Sequence, residues 1–249
     1  MPTDHGVRTL EIAVQDPVGA RLALAAGADR VELCSALSTG GLTPSIGLVH
    51  SVVEAVAEAP GFVQVLVRPR EGGFVYDVEE IETTARDVAA LRGTGVGGVV
   101  VGALTSEGSL DLAAMECLIE AAGDLTVTFH RAIDVCPDPL ALLELLLGLG
   151  VDRILTSGGA VRSIDGLDVI SALAQRAGDQ MQISAGGGVR VADIPALLGA
   201  GAASVHLSAR TLAPRCGPTG PGGGAESHHM TDANIVAETV AAVAACNAW

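Results

Sequence analysis

The sequence contains no lysine, and all 14 of its basic residues are arginines. This absence excludes a Schiff-base lysine and a lysine-dependent phosphate loop. The chain carries 29 acidic residues and a formal net charge of −15 at pH 7, which argues against nucleic acid or an anionic membrane surface as a partner. Aromatic residues make up only 2% of the chain, so the sequence offers no stacking platform for bases.

Long apolar runs are missing as well. No run approaches the roughly 18 residues that a membrane-spanning helix needs, and the N-terminus has no apolar signal segment. The five cysteines are widely separated, without a CxxC pair or a disulfide-type spacing, so we expect a reducing, cytoplasmic setting. Hydrophobic residues make up 49% of the chain, which is enough for a sizeable core and excludes a disordered protein.

Short β-branched runs alternate along the chain with longer segments rich in alanine and leucine. The predicted strands are 8–14, 30–34, 62–68, 97–101, 125–130, 152–156, 181–185 and 203–208, and a predicted helix follows each of them. Eight such units within about 250 residues predict one (β/α)8 TIM barrel, since a doubly wound open sheet normally needs fewer repeats. We expect a single domain over residues 1–249, with the barrel at about 8–210, a flexible loop over 211–230 and a final helix over 231–246.

A weak internal repeat supports a closed barrel. The segment Gly27-Ala28-Asp29-Arg30-Val31 precedes the second predicted strand, and Gly150-Val151-Asp152-Arg153-Ile154 precedes the sixth. Both strands are even-numbered, and alternate strands share layers inside such barrels. A generic turn after a helix C-terminal glycine is the alternative explanation for one copy.

Strand alternation predicts a polar barrel interior. Outward placement of the aliphatic residues turns a polar set inward, which includes Glu11, Glu32, Gln64, Arg68, Thr128, His130, Thr156, Gln182, Ser184, His206 and Ser208, together with Ala13 and Cys34. Buried polar groups are costly unless they are satisfied. A ligand site at the C-terminal rim explains such a lining, and a closed hydrogen-bonded network without a ligand is the alternative.

Arginines and glycines cluster at the predicted strand ends. Arg68 and Arg70 follow the third strand, Arg131 follows the fifth, and Gly187, Gly188 and Ser208 follow the last two. Arginine binds phosphate or carboxylate through two parallel hydrogen bonds, and glycine-rich ends after strands 7 and 8 form the usual phosphate cup of a barrel. We therefore expect a small anionic ligand here, held by Arg68, Arg70 and Arg131 with the Gly187 and Gly188 amides.

Glu32 and His130 are the candidate acid–base pair, with Arg68 expected to lower the pKa of the carboxylate. The alternative is that Glu32 only neutralises Arg68 or Arg131 in a structural network. His206 is interpreted as a hydrogen-bonded core histidine.

Cys34 is the one cysteine at a strand end that faces the rim, and thiolate is the preferred ligand of Cu(I). Nothing in the sequence indicates an organic cofactor.

Several segments, in this order, resemble the CutC family of copper-homeostasis proteins: 27–34, 40–45, 68–70, 128–132, 155–159, 186–189 and 208–210. The resemblance covers about residues 10–210. It implies a (β/α)8 barrel, a cytoplasmic location, a homo-oligomer, and a protein that binds or traffics copper.

The chain departs from the pattern of its apparent relatives at two cysteines. Relatives commonly carry a cysteine where this chain has Ala13, and others carry one where it has Val75. A two-thiol Cu(I) site shared by the first two strands is therefore absent, and we expect weak copper binding with Cys34 as the principal soft ligand. Two functions stay open: a copper-homeostasis protein, and a barrel enzyme that acts on a small anionic metabolite by acid–base chemistry.

Overall fold

The computed structural model describes residues 7–214 and 227–248, and it contains a closed barrel of eight parallel strands. The strands follow one another around the barrel in chain order, and β8 pairs with β1 to close it. Their bounds are Thr9–Val14 (β1), Arg30–Leu33 (β2), Val63–Leu66 (β3), Gly98–Val101 (β4), Thr126–Phe129 (β5), Arg153–Thr156 (β6), Gln182–Gly186 (β7) and Ser204–Leu207 (β8). The predicted (β/α)8 fold is confirmed.

A helix follows each barrel strand. The helices are Pro17–Ala26 (α1), Ile46–Ala55 (α2), Val78–Ala90 (α3), Leu112–Ala122 (α4), Pro139–Gly148 (α5), Leu167–Ala177 (α6), Ile194–Gly199 (α7) and Ala233–Asn247 (α8). Aspartate side chains cap α1, α3, α4, α5 and α8 by accepting backbone N–H groups of the first turn. Part of the acidic excess of the chain therefore serves as helix capping.

The hydrophobic core lies between the strands and the helices. Outward-facing strand residues such as Ile12, Val31 and Val205 are fully buried in it. The barrel interior is polar on the predicted faces of most strands, and Glu11, Glu32, Thr128 and Ser184 are all buried there. On β6 the prediction of which side chains face the barrel interior is wrong. Ile154 joins the outer core, so Arg153 and Leu155 share the inward face, and Thr156 instead donates from its hydroxyl to Asp134 Oδ1 at 2.6 Å.

The internal repeat has a structural explanation. Asp29 accepts the backbone N–H of Leu10 in β1, and Asp152 accepts that of Val127 in β5, each at 2.7 Å. Each aspartate thereby ties the start of an even strand to the strand before it. The arginines that follow, Arg30 and Arg153, are the first residues of β2 and β6 and are buried. Arg30 pairs with Glu11 at 2.5 Å.

After β8 the chain forms a short antiparallel pair, Arg210–Leu212 (β9) with His229–Thr231 (β10). The loop predicted over 211–230 is therefore paired at both of its ends, and its central part, 215–226, lies outside the described residues. Among residues 7–214 and 227–248, no helix has the length and apolar character needed to cross a membrane.

Candidate functional site

A cavity of about 240 Å³ opens at the C-terminal ends of the barrel strands. Seven of the predicted site residues line it: Glu32, Arg68, His130, Arg131, Gly187, Gly188 and Ser208. His206 and Arg210 line it as well, and Leu66, Phe74 and Leu155 supply apolar surface. Arg70 and Cys34 are not among its lining residues.

Glu32 lies beside His206 and not, as predicted, in a pair with His130. Because the barrel closes between β8 and β1, Glu11 and His206 are register partners on neighbouring strands. Glu11 Oε1 contacts His206 Nδ1 at 2.7 Å, and the other ring nitrogen, Nε2, lies 3.7 Å from Glu32 Oε2. Two buried carboxylates therefore lie on either side of one imidazole, and only Glu32 reaches the cavity.

The two carboxylates have opposite pKa shifts. Burial raises the pKa of Glu32 to about 7, with a further contribution from the Glu11 charge, while His206 opposes the shift. Burial also acts on Glu11, but the Arg30 guanidinium and the His206 hydrogen bond outweigh it and hold its pKa well below the ordinary value. Burial lowers the pKa of His206, yet Glu32 and Glu11 together raise it above its usual value. Arg68, which we predicted to lower the Glu32 pKa, forms no ion pair with Glu32 within the described residues.

His130 is fixed in a neutral state at the start of a 3-10 turn. The backbone N–H of Ala132 donates to its Nδ1 at 3.2 Å, and its ring packs against Phe74 at 4.9 Å between centroids. Burial first, and then the Arg68 charge, lower the pKa of His130 to about 3. An imidazole with this pKa is a poor base at neutral pH, so the predicted role of His130 as a partner base for Glu32 does not fit its surroundings.

Arg68 is a buried cation whose terminal nitrogens are already bonded. Its Nη1 donates to the Gly41 carbonyl at 3.3 Å and its Nη2 to the Gly72 carbonyl at 2.6 Å. Both partners are neutral, and no carboxylate pairs with Arg68 in the described part of the chain. Arg68 therefore contributes a full positive charge to the cavity, and its Nε–H is buried without a hydrogen-bond partner in the described residues.

The other two arginines of the predicted clamp differ from each other. Arg70 turns away and pairs with Glu80 on α3, with its guanidinium over the Tyr76 ring at 5.0 Å, so its inclusion in the clamp was wrong. Arg131 lines the cavity, but its Nε donates to Asp134 at 2.7 Å and its Nη2 to the Ser157 hydroxyl at 3.0 Å. Its charge is thereby largely neutralised.

Gly187 and Gly188, whose backbone amides form the predicted amide cup, directly follow β7 and line the cavity. Gly187 and Gly188 have φ angles of 112° and 60°, in the region that favours glycine. An added Cβ at Gly187 would lie 3.0 Å from Arg131 Cζ, so only glycine leaves room for this arginine. The N–H groups of Gly187 and Gly188 donate to no acceptor within residues 7–214 and 227–248. Arg210, beside Ser208, adds a guanidinium that donates to the Leu37 carbonyl.

Cys34 lies beneath the cavity in a small apolar cluster with Leu66 and Val100. Its thiol donates to the Val14 carbonyl at 3.7 Å, and burial raises its pKa far above the ordinary value. The side chain is thus a neutral thiol, whereas metal binding needs the thiolate. In the described ranges no group of three or more histidine, cysteine, aspartate or glutamate side chains is arranged to hold a metal ion.

Strand alternation predicts that Glu11 and His206 lie inside the barrel, but it does not predict that they contact each other. The signal was available, because barrel closure makes β1 and β8 neighbours and aligns Glu11 with His206. Arg30 was missed as an inward residue, although it lies two positions before Glu32 on the same strand face.

Comparisons with known proteins agree on one family. The CutC family model matches residues 8–211. A CutC family protein of Xanthomonas campestris pv. campestris (strain B100) is 49% identical over 203 residues, covering 81% of this chain and 83% of its own length. One from Caulobacter vibrioides (strain NA1000 / CB15N) is 46% identical over 189 residues, 76% of each chain. The crystal structure of CutC from Streptococcus agalactiae, named there as a candidate copper homeostasis protein, superposes with a TM-score of 0.75 at 30% identity, over 81% of this chain and 98% of that one.

Proposed function

The chain belongs to the CutC family, and from this premise we propose that its barrel mouth binds a small anionic metabolite and performs acid–base chemistry on it. The observation that carries the proposal is Glu32, a buried carboxyl group on the cavity wall beside the His206 ring. Such a lining is costly for stability alone, and perturbed carboxyl groups in a cleft are typical of catalytic sites.

Glu32 is suited to proton transfer near neutral pH. With a pKa raised to about 7, the carboxyl group is partly ionised and can accept or return a proton, and catalytic power is greatest when the pKa lies near the working pH. Glu11 accepts a hydrogen bond from His206 Nδ1–H, which fixes the orientation of the ring and leaves Nε2 towards Glu32. Glu32 is the catalytic residue of this proposal, and His206 and Glu11 are positioning residues.

The charge of the cavity supports an anionic ligand. Arg68 and Arg210 have no carboxylate partner among the described residues, and the N–H groups of Gly187 and Gly188 are free to donate. In a chain of net charge −15, this region is locally positive. A phosphate or carboxylate group of a small metabolite fits the amide cup, with Ser208 and Arg131 beside it.

Copper does not fit the same residues as a resident ion. The one cysteine at the rim end of β2 is a neutral thiol in an apolar cluster, and the positions of Ala13 and Val75 supply no second thiol. A cation would also meet the Arg68 charge. Copper homeostasis is part of the name of the Streptococcus agalactiae protein. For this chain, that link does not determine the chemistry of the barrel mouth.

A cytoplasmic location is part of our proposal, and the four described cysteines, all free thiols, support it.

Ligand binding and activity test the proposal together. In a thermal-shift screen, phosphate monoesters or small carboxylates that bind the cavity should raise the melting temperature. A ligand at 100 times its Kd adds about 2.7 kcal/mol to the free energy of unfolding. Hits are then assayed for turnover with the parent protein, with Glu32→Gln, and with Glu58→Gln as a control at an exposed glutamate.

The expected result is anion-dependent stabilisation in all three proteins and loss of turnover in Glu32→Gln alone. The anion site would be contradicted if the parent protein is folded and stable but no compound of the panel raises its melting temperature. Turnover that survives Glu32→Gln would contradict the role of Glu32.

A further inference from the structure

His130 carries a buried hydrogen-bond donor that no group of the protein satisfies. Its Nδ1 accepts the Ala132 N–H, so in the neutral ring the proton lies on Nε2. Nε2 is buried and has no hydrogen-bond partner in the described residues, although the ring lines the cavity. An unmet buried donor costs free energy, and it indicates that an acceptor from outside the protein belongs there.

The surroundings of the ring keep it neutral and hold it in place. Phe74 packs against the His130 ring and against the Arg68 guanidinium, 4.9 Å and 5.1 Å from its centroid respectively. On another edge, an added Cβ at Gly102 would lie 2.6 Å from both Cε1 and Nδ1 of His130, so the ring occupies the room that only a glycine leaves. The Arg68 charge further disfavours an imidazolium.

We propose that the His130 Nε2–H, with the Arg68 charge beside it, binds the carbonyl oxygen of the substrate and stabilises the negative charge that develops on it. The inference rests on the proposed function and deepens it. It identifies the substrate as a small carbonyl compound that carries a phosphate or carboxylate group, and the reaction as proton transfer at the carbon next to the carbonyl.

The step is balanced by groups already on the cavity wall. The Glu32 carboxylate takes the proton from the carbon next to the carbonyl, and the electron pair of the broken C–H bond forms a carbon–carbon double bond. The carbonyl π electrons move to the oxygen, where the neutral His130 donor and the Arg68 charge stabilise the enolate. Return of the proton from Glu32 to the same carbon restores the carbonyl and the Glu32 carboxylate, and exchange of that proton with solvent before its return completes a proton exchange.

A neutral donor suits this role better than an imidazolium. It stabilises the oxyanion without giving up its own proton, because the N–H of a neutral imidazole is far less acidic than that of its cation. The amide cup of Gly187 and Gly188, also on the cavity wall, takes the anionic end of the substrate. The two ends of such a molecule therefore meet different donors.

Two phosphate monoesters separate the oxygen site from the anion site. Binding of 2-phosphoglycolate, whose carboxylate imitates an enolate, is compared with binding of ethyl phosphate by calorimetry. The parent protein is compared with His130→Phe, which keeps a flat ring without a donor, with His130→Gln, which keeps an N–H donor, and with His50→Gln as an exposed-histidine control. Exchange of the two protons on the carbon next to the carbonyl of glycolaldehyde phosphate in D2O is followed by NMR.

We expect the parent to bind 2-phosphoglycolate about tenfold to a hundredfold more tightly than ethyl phosphate, as a hydrogen bond to a charged acceptor implies. His130→Phe should lose most of this ratio, His130→Gln should regain part of it, and ethyl phosphate should bind all four proteins alike. Proton exchange should be lost in His130→Phe.

Each other outcome contradicts a distinct step. If the ratio and the exchange are the same in His130→Phe, the oxygen site is wrong while the anion site and Glu32 stand. A His130 ring that titrates between pH 6 and 7 in 15N NMR spectra of the parent also overturns it, because the donor would then be cationic. If neither phosphate binds the folded parent, the proposed function fails, and this inference fails with it.

Discussion

Replacement of Glu32 by glutamine is expected to stabilise the protein, and to do so more at pH 8 than at pH 5. Burial raises the pKa of this carboxyl group from 4.5 to about 7, so the folded protein binds the proton more strongly than the unfolded chain does. Between these two pH values the folded state holds more protons than the unfolded state, and stability therefore falls as pH rises. Glutamine has nearly the same shape and never ionises.

The magnitude follows from the shift. One pKa unit corresponds to about 1.4 kcal/mol, so the rise from 4.5 to about 7 makes the ionised Glu32 cost roughly 3 kcal/mol when the pH exceeds both values. Part of that cost is already present at pH 5, because the Glu32 carboxyl group is ionised in most unfolded molecules at that pH. The stability gained by Glu32→Gln should therefore increase by about 2–3 kcal/mol between pH 5 and pH 8. The groups that face Glu32 are His206 and Glu11.

Urea unfolding at the two pH values measures the effect, with free energies obtained by linear extrapolation. Glu58→Gln is the matched control, since Glu58 is an exposed glutamate on the surface, and its effect should be nearly the same at both pH values. A gain for Glu32→Gln that is equal at pH 5 and pH 8 would show that the Glu32 pKa is not raised. A loss of stability for Glu32→Gln that grows towards pH 8 would show that the surroundings favour the ionised form of Glu32, which contradicts a pKa raised by burial.

Three further outcomes are expected. Reduced protein titrated against a Cu(I) chelator should compete weakly, and Cys34→Ser should leave the result unchanged, because the thiol is buried and neutral; tight stoichiometric binding that Cys34→Ser abolishes would contradict this. In calorimetry with ethyl phosphate and 2-phosphoglycolate, Arg70→Gln should leave affinity unchanged, because Arg70 pairs with Glu80 outside the cavity, whereas Arg68→Gln should weaken the binding of 2-phosphoglycolate. Glu11→Gln removes the carboxylate partner of a buried arginine and should lower the free energy of unfolding by about 3–5 kcal/mol, measured in urea at pH 7; a change below about 1 kcal/mol would show that this ion pair contributes little.

The side chains of Arg68 and Arg70 lie in different surroundings, which their closeness in the sequence does not predict. The two residues are separated by one proline and were predicted to act together at the rim. Arg68 is buried and bonds two carbonyl groups, whereas Arg70 reaches a glutamate of α3 and stacks on Tyr76. A long side chain with several rotatable bonds takes the acceptors that the surrounding loops offer, and no sequence pattern gives the path of those loops.

Much of the protein was nevertheless determined by local pattern. Alternation of apolar and polar residues predicts the strands and which of their faces is polar, because successive side chains of a strand point to opposite sides. Aspartate, proline and glycine mark helix starts and ends, because the capping hydrogen bonds and backbone angles they satisfy are local. Eight repeats of this unit leave a closed barrel as the expected fold, and Glu32, His130, Arg68 and the glycine pair follow as residues near its mouth.

Which of these groups meet was decided by the tertiary structure alone. Glu11 and His206 are separated by 195 positions in the chain, and they contact each other only because β8 closes against β1. That contact makes His206, and not His130, the neighbour of Glu32, and burial then moves the Glu32 pKa upwards and the His130 pKa downwards. Desolvation and pairing depend on distances in space, so the roles of two residues that look alike in the sequence separate only when the barrel is closed.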